Sequence, residues 1–186
     1  ENISKNIEDD VTLFNENKKK ISIVRGSKNN FKITEIEDLK MFECIKKNKI
    51  FYGIGYDVHK LIKGRKLFLG GIKIPFHLGA EGHSDGDPVI HALIDSILGA
   101  CSLGDIGNLF SDKNKNYKNI RSTILLKSVI KLVESRYFVI NNIDINIIAE
   151  KPKIKKYRKK IINLISKICK IKFNQINVKG KTTEKL

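Results

Sequence analysis

The rhythm of apolar and polar positions changes near residue 50. Before it Asn, Lys, Glu and Asp dominate, broken only by short apolar patches at Ile21-Ser22-Ile23-Val24 and around Leu39 to Phe42. Residues 1–50 therefore read as a low-complexity extension or linker, and residues 51–186 as one α+β domain. Within that domain Ile50 to Val58 reads as a strand, and Arg65 to Ile74, broken by Gly70-Gly71, as a strand with a bend or hairpin. Ile90, Leu93, Ile94 and Ile97 recur at helical spacing and predict a helix from about Pro88 to Ala100. Asp87 suits its N-cap and Pro88 its first turn, where no amide hydrogen is needed. A second helix is expected over Ile120 to Ser135. Phe138 to Ala149 is the clearest strand, because Ile143, Ile145 and Ile147 alternate with Asp144 and Asn146. A third helix runs from about Lys153 to Lys170, and Gln175 to Thr182 returns as a strand. This order fits a small mixed or antiparallel sheet with helices packed on one face, and no internal repeat is present.

Composition narrows the class. At 186 residues and 41% hydrophobic content the chain can bury one core, and no apolar run reaches the length that spans a membrane. The formal charge of +16 invites a nucleic-acid reading. Against it, the bases are 31 Lys and five Arg, and Arg is the residue that phosphate and base forks favour. Lys, Asn and Ile are all abundant, as an AT-rich genome would produce. The strongest basic stretch, Lys151 to Lys181, holds twelve basic residues and no acid. There Ile154, Tyr157, Ile161, Leu164, Ile165 and Ile168 share one helical face, with most of the lysines turned away, so a solvated basic face is the simpler account. The expectation is a chain that binds neither nucleic acid nor membrane. Cys44, Cys101 and Cys169 are scattered without C-x-x-C spacing, and the latter two fall in apolar helical patterns as thiols of the interior.

The acids carry more information. From residue 51 onward there are eleven, and Asp57, Asp85, Asp87, Asp95, Asp105, Asp112 and Glu184 stand in the glycine-rich or C-terminal motifs. The run His83-Ser84-Asp85-Gly86-Asp87-Pro88-Val89-Ile90-His91 sets two imidazoles and two carboxylates across a turn and into a helix start. Upstream, Asp57 and His59 are two residues apart and share one face of an extended segment. Two imidazoles and a carboxylate with an open position suit a catalytic divalent metal, zinc above all. A lone helical His and a lone Asp-x-His are also common without any metal, so on spacing alone the two readings stand side by side. His77 lies in a plain polar context and reads as a surface residue.

The ordered motifs resemble 2-C-methyl-D-erythritol 2,4-cyclodiphosphate synthase, the cyclising enzyme of the non-mevalonate isoprenoid pathway. They are Gly55-Tyr56-Asp57-Val58-His59, Gly64-Arg65-Lys66-Leu67, Leu69-Gly70-Gly71, Ile74-Pro75 and Gly82-His83-Ser84-Asp85-Gly86-Asp87. His91-Ala92-Leu93-x-Asp95, Gly99-Ala100, Leu103-Gly104-Asp105-Ile106-Gly107, Phe110-x-Asp112 and Lys179-x-x-Thr182-Thr183-Glu184-Lys185-Leu186 continue the match. The resemblance implies conversion of 4-diphosphocytidyl-2-C-methyl-D-erythritol 2-phosphate to the cyclic diphosphate with release of CMP, by attack of the substrate's own 2-phosphate. It implies zinc on Asp57, His59 and His91, and a magnesium or manganese ion held with the help of Glu184. It implies that His83 and Thr182 steady the transferring phosphate and that Ser84 binds phosphate. Asp105 and Gly107, with Asp95 and Asp112 nearby, would meet the methylerythritol part. Ala149, Lys153, Thr182 and Thr183 would cradle the cytidine diphosphate.

The resemblance also implies a homotrimer with active sites between subunits. The family continues past Leu186 with a further loop and strand, so the domain as given is expected to lack that strand. The extension and the Lys/Asn/Ile bias point to a plastid-type organelle of a eukaryote with an AT-rich genome, with a bacterial cytoplasm as the alternative. Two other functions compete: a metal-dependent phosphohydrolase, which would release inorganic phosphate, and a basic nucleic-acid-binding module.

Overall fold

The computed structural model describes residues 32–47, 49–111, 114 and 117–184. Asp112 and the apolar patch at 21–24 lie outside them. The chain divides into two units, Glu1–Lys46 and Lys47–Leu186. Helix α1 (Ile36–Lys47) belongs almost wholly to the first. Asp38 reaches back to close its N-terminus, accepting from the Thr34 amide and hydroxyl and the Glu35 amide at 2.9–3.0 Å. This offsets amides that the first helical turn leaves without partners.

In the second unit the elements run β1 (Leu61–Ile62), β2 (Leu67–Leu69), β3 (Ile72–Ile74), β4 (Gly79–Ala80), α2 (Pro88–Ala100) and α3 (Ile106–Leu109). They continue with α4 (Ser122–Glu134), β5 (Ile143–Ile148), α5 (Arg158–Cys169) and β6 (Ile176–Lys181), with 3-10 turns at Ile154–Lys156 and Phe173–Gln175. Helix α2 has the bounds its apolar spacing predicts. The hairpin is also where it was expected: β2 pairs antiparallel with β3, Leu67 opposite Ile74 and Leu69 opposite Ile72. Gly70 and Gly71 turn it at φ 60° and 79°, the left-handed pair that a tight two-residue hairpin demands. Asp87, with no exposed surface, ties the two features together. Its carboxylate accepts from the Val89 and Ile90 amides at 3.1 Å each and from the Gly70 and Gly71 amides at 2.9 and 2.5 Å.

Two expectations need correction. The single small sheet is instead three two-stranded ladders, β1–β4 and β2–β3 antiparallel and β5–β6 parallel. The first two involve strands of only two and three residues, too short to propagate a larger sheet. The mixed character remains, and so does the one-sided packing. Ile143, Ile147, Ile176 and Val178 are buried on the helical side, while Asp144, Ile148 and Lys179 lie open on the other. The second correction concerns Ile50 to Val58, which joins no ladder among the described residues. It lies flat on α2 instead: a Cβ on Gly53 would sit 1.8 Å from the Ser96 carbonyl oxygen, and one on Gly55 1.8 Å from that of Ala92. The two-residue alternation survives, with Tyr52, Ile54, Tyr56 and Val58 turned outward and exposed.

The core lies between α2, α4, α5 and the strands. Ile90, Ile94, Leu98, Leu126, Val129, Val133, Ile161, Ile165 and Val178 are all but removed from water. Cys169 joins this core, and burial pushes its thiol up to about 12; Cys101 is only half-buried. Among the described residues no helix is long and apolar enough to cross a membrane.

Candidate metal centre

Two side chains of one segment and a third, more than 30 residues further on, meet where the 53–59 segment crosses α2. Asp57, His59 and His91 bring one ligand atom each within 4.8 Å of one another. The close approach of Gly53 and Gly55 to the helix backbone makes this possible. With any larger residue there, the segment would stand off from α2 and carry Asp57 away from His91, which sits on the first turn of that helix.

The triangle is tight. Asp57 Oδ2 is 2.7 Å from His59 Nε2 and 3.1 Å from His91 Nδ1, and the two ring nitrogens are 3.4 Å apart. Bonds of about 2.0–2.1 Å at tetrahedral angles would separate three such donors by about 3.3 Å, so this donor set fits a small divalent ion of the zinc type. The side chains are 23%, 15% and 12% exposed, which leaves one side of the triangle open for a further ligand. Burial resists ionisation of Asp57, but hydrogen bonds with both imidazoles outweigh it and hold the carboxyl well below the usual range. The same carboxylate raises His59, against the opposing effect of burial.

Tautomers follow from the partners. His59 Nδ1 meets the Glu81 carbonyl oxygen, which only accepts, so Nδ1 carries a proton and Nε2 is the nitrogen that would give a metal its lone pair in place of the hydrogen bond to Asp57. On the other side of His91, Nε2 lies 2.8 Å from Ser122 Oγ and 3.0 Å from Ser84 Oγ. Ser84 is thus buried against His91. His83 occupies the same turn, its carbonyl accepting from the Asn119 amide at 2.9 Å.

The other expected site residues fall into two groups. Asp95, on α2, accepts from the Ile106 amide at 2.8 Å, and Asp105 caps the start of α3 through the Asn108 amide at 2.8 Å. Asp95 therefore fastens the turn that carries Asp105 and Gly107. The second group is at the C-terminal ends of β5 and β6. Ala149, Lys153 and Thr182 help line a groove of about 510 Å³, rimmed also by Lys155, Arg158 and Lys181. Thr183 donates to Glu150 through its amide and hydroxyl at 2.9 and 2.8 Å, and the Thr182 hydroxyl donates to Glu184. Glu184 is no member of the three-residue cluster.

Sequence reasoning missed Ser122, Arg121 and the Glu81 carbonyl. The only signal for Ser122 is a small hydroxyl residue at a helix start, which is usual at any helix and points to no site.

The model of the YgbB family matches residues 50–186. The chain is 57% identical over 185 residues to a bifunctional enzyme IspD/IspF of Pelagibacter ubique, covering all of this chain and 48% of that protein. It thus spans about half the length of that relative. It is 52% identical over 134 residues to 2-C-methyl-D-erythritol 2,4-cyclodiphosphate synthase of Caldicellulosiruptor bescii, covering 72% of this chain and 85% of the relative. Among solved structures it resembles an IspF–CDP complex from Plasmodium falciparum at TM-score 0.64 and 45% identity, over 75% of this chain and 85% of the other. With three of the motif residues meeting in one Asp–His–His triangle and the family match running from residue 50 to 186, the chain belongs to the YgbB family, that of the 2-C-methyl-D-erythritol 2,4-cyclodiphosphate synthases.

Proposed function

We propose that this domain cyclises 4-diphosphocytidyl-2-C-methyl-D-erythritol 2-phosphate to 2-C-methyl-D-erythritol 2,4-cyclodiphosphate. The observation that carries the proposal is the triangle of Asp57, His59 and His91 in a chain of this family. A 2-phosphate oxygen forms a bond to the β-phosphorus, the bond from that phosphorus to the α–β bridging oxygen breaks, and CMP leaves with the electron pair. No protein nucleophile is required, so the residues act by position and charge. Zinc on the triangle, and magnesium or manganese near Glu184, would supply Lewis-acid polarisation and offset the diphosphate charge. His83 and Thr182 steady the transferring phosphate, and Ser84 binds phosphate. Asp105 and Gly107, on the turn fastened by Asp95, meet the methylerythritol part together with Asp112. Ala149, Lys153, Thr182 and Thr183 hold the cytidine diphosphate, and the basic rim of their groove suits its charge. The CDP named for the Plasmodium falciparum structure supports this ligand class.

The lining of that groove and the metal triangle share no residue. This supports a homotrimer in which the groove of one subunit faces the triangle of the next. Residues 1–50 align along with the rest to the bifunctional relative, which supports a joining segment to an IspD portion and a bacterial cytoplasm over a plastid leader.

The test is release of CMP from the diphosphocytidyl substrate, with and without a zinc chelator, with His91→Ala alongside. Metal-dependent CMP without inorganic phosphate, abolished by His91→Ala, is expected. Inorganic phosphate as product would establish the phosphohydrolase instead. Retardation of arbitrary RNA with a steep salt dependence, and no CMP, would favour the nucleic-acid module.

A further inference from the structure

We infer that Ser122 and Asp85 are positioning residues that fix His91 as a metal ligand, through buried hydrogen bonds running from the metal triangle to an Asp85–Arg121 ion pair. The inference rests on the metal reading above. Four groups in line carry it. His91 Nε2 is 2.8 Å from Ser122 Oγ; the Ser122 hydroxyl donates to Asp85 Oδ1 at 2.5 Å, and its amide donates to the same oxygen at 3.1 Å. Asp85 Oδ2 forms an ion pair with Arg121 Nε at 2.8 Å. Arg121 is itself held by a hydrogen bond to the Gly71 carbonyl at 2.8 Å and by the Phe68 ring, 4.0 Å from its guanidinium. Ser122 has no exposed surface and Asp85 is 8% exposed, so this polar chain is built into the interior.

The direction of the protons follows from the donors available. Asp85, ion-paired with the Arg121 guanidinium, accepts at Oδ1 from both the amide and the hydroxyl of Ser122. The Ser122 hydroxyl must then give its one hydrogen to Asp85, and its oxygen is left to accept from His91. His91 therefore donates from Nε2, and with a metal bound Nδ1 is free to offer its lone pair to the ion in place of its hydrogen bond to Asp57. Without the chain the Asp57 carboxylate, 3.1 Å from Nδ1, would draw the proton to the wrong nitrogen. Ser84, 3.0 Å from Nε2, shares the same N–H; its own hydroxyl hydrogen can go to Ser122 Oγ, 3.3 Å away, which is the oxygen backed by Asp85. Such outer partners raise ligand basicity and hold the ring in place.

The experiment compares zinc affinity, by competition with a chromophoric chelator, for the full chain, Ser122→Ala, Asp85→Asn, His91→Ala and Ser122→Ala/His91→Ala. Ser122→Ala is expected to weaken zinc by about tenfold or more. Asp85→Asn, which keeps an acceptor but loses the charge, is expected to weaken it less; it stands in if Ser122→Ala does not fold. In the His91→Ala background Ser122→Ala is expected to change nothing further, because the chain acts only through His91. In the zinc-loaded full chain the His91 Nε2–H proton should be visible by NMR and slow to exchange, and Ser122→Ala should abolish that protection. Equal affinities for the full chain and the variants, or the same loss with His91 absent, would overturn the inference while leaving the metal site standing. Failure of the full chain to bind zinc would overturn the metal reading itself.

Discussion

Asp87 shows how one residue sets both a fold and a site. Burial pushes its carboxyl above the usual range, while the amides of Gly71, Ile90 and Gly70 pull the other way. A carboxylate accepting four amides is the arrangement a helix N-terminus stabilises, since the first-turn amides carry partial positive charge. Removing it would orphan amides in two elements at once. Asp87→Ala is expected to lower the unfolding free energy by about 3 kcal/mol or more, since each buried amide left unpaired costs about 1–3 kcal/mol. Asp87→Asn should cost less, because one oxygen still accepts. Urea unfolding with unchanged slope would measure both. A loss under about 1 kcal/mol for Ala would mean that water reaches the turn and replaces the carboxylate.

At the scale of elements the decisive contact is between the 53–59 segment and α2. Its closeness depends on two missing side chains, since a methyl on Gly55 would fall 1.8 Å from backbone that cannot yield. Gly55→Ala must lift the segment, and Asp57 and His59 move with it. The expected result is a lower melting temperature together with zinc affinity weakened by about tenfold or more, comparable to losing a metal-supporting contact. An unchanged affinity would show that the triangle does not depend on this contact. The helix that carries His91 was legible from sequence because an apolar stripe, a capping Asp and an N-terminal Pro agree on one start. The hairpin was legible because consecutive glycines allow its turn. The triangle was legible through the resemblance, since the shared face of Asp57 and His59 left a metal site and a chance pairing side by side and did not single out His91. The environment of His91 was not. Ser122 comes from a helix 31 residues further on, and nothing in its own neighbourhood records that it will meet an imidazole. The 50–58 strand was misread for a related reason. Alternation reports which side faces away from α2, but not whether any neighbour supplies the hydrogen bonds of a ladder.

At the scale of the whole molecule the outward side of that segment bears on assembly. Tyr52, Ile54, Tyr56 and Val58 are 74–92% exposed, a row of large apolar side chains that a lone subunit would hold in water. In the proposed trimer this row would be covered by neighbouring copies. Each chain carries +16, so the copies also repel one another, and the assembly should tighten as salt screens that charge. Ile54→Glu places a carboxylate in the row, and an unpaired charge buried in an interface costs about 3–5 kcal/mol. Analytical ultracentrifugation should find a trimer for the parent chain and a monomer for the variant. Zinc binding should survive, because Asp57, His59 and His91 all belong to one chain. CMP release should be lost, because the cytidine groove would no longer face a triangle. A variant that is monomeric and still fully active would place groove and triangle of a single chain in one site and remove the argument for an interfacial centre.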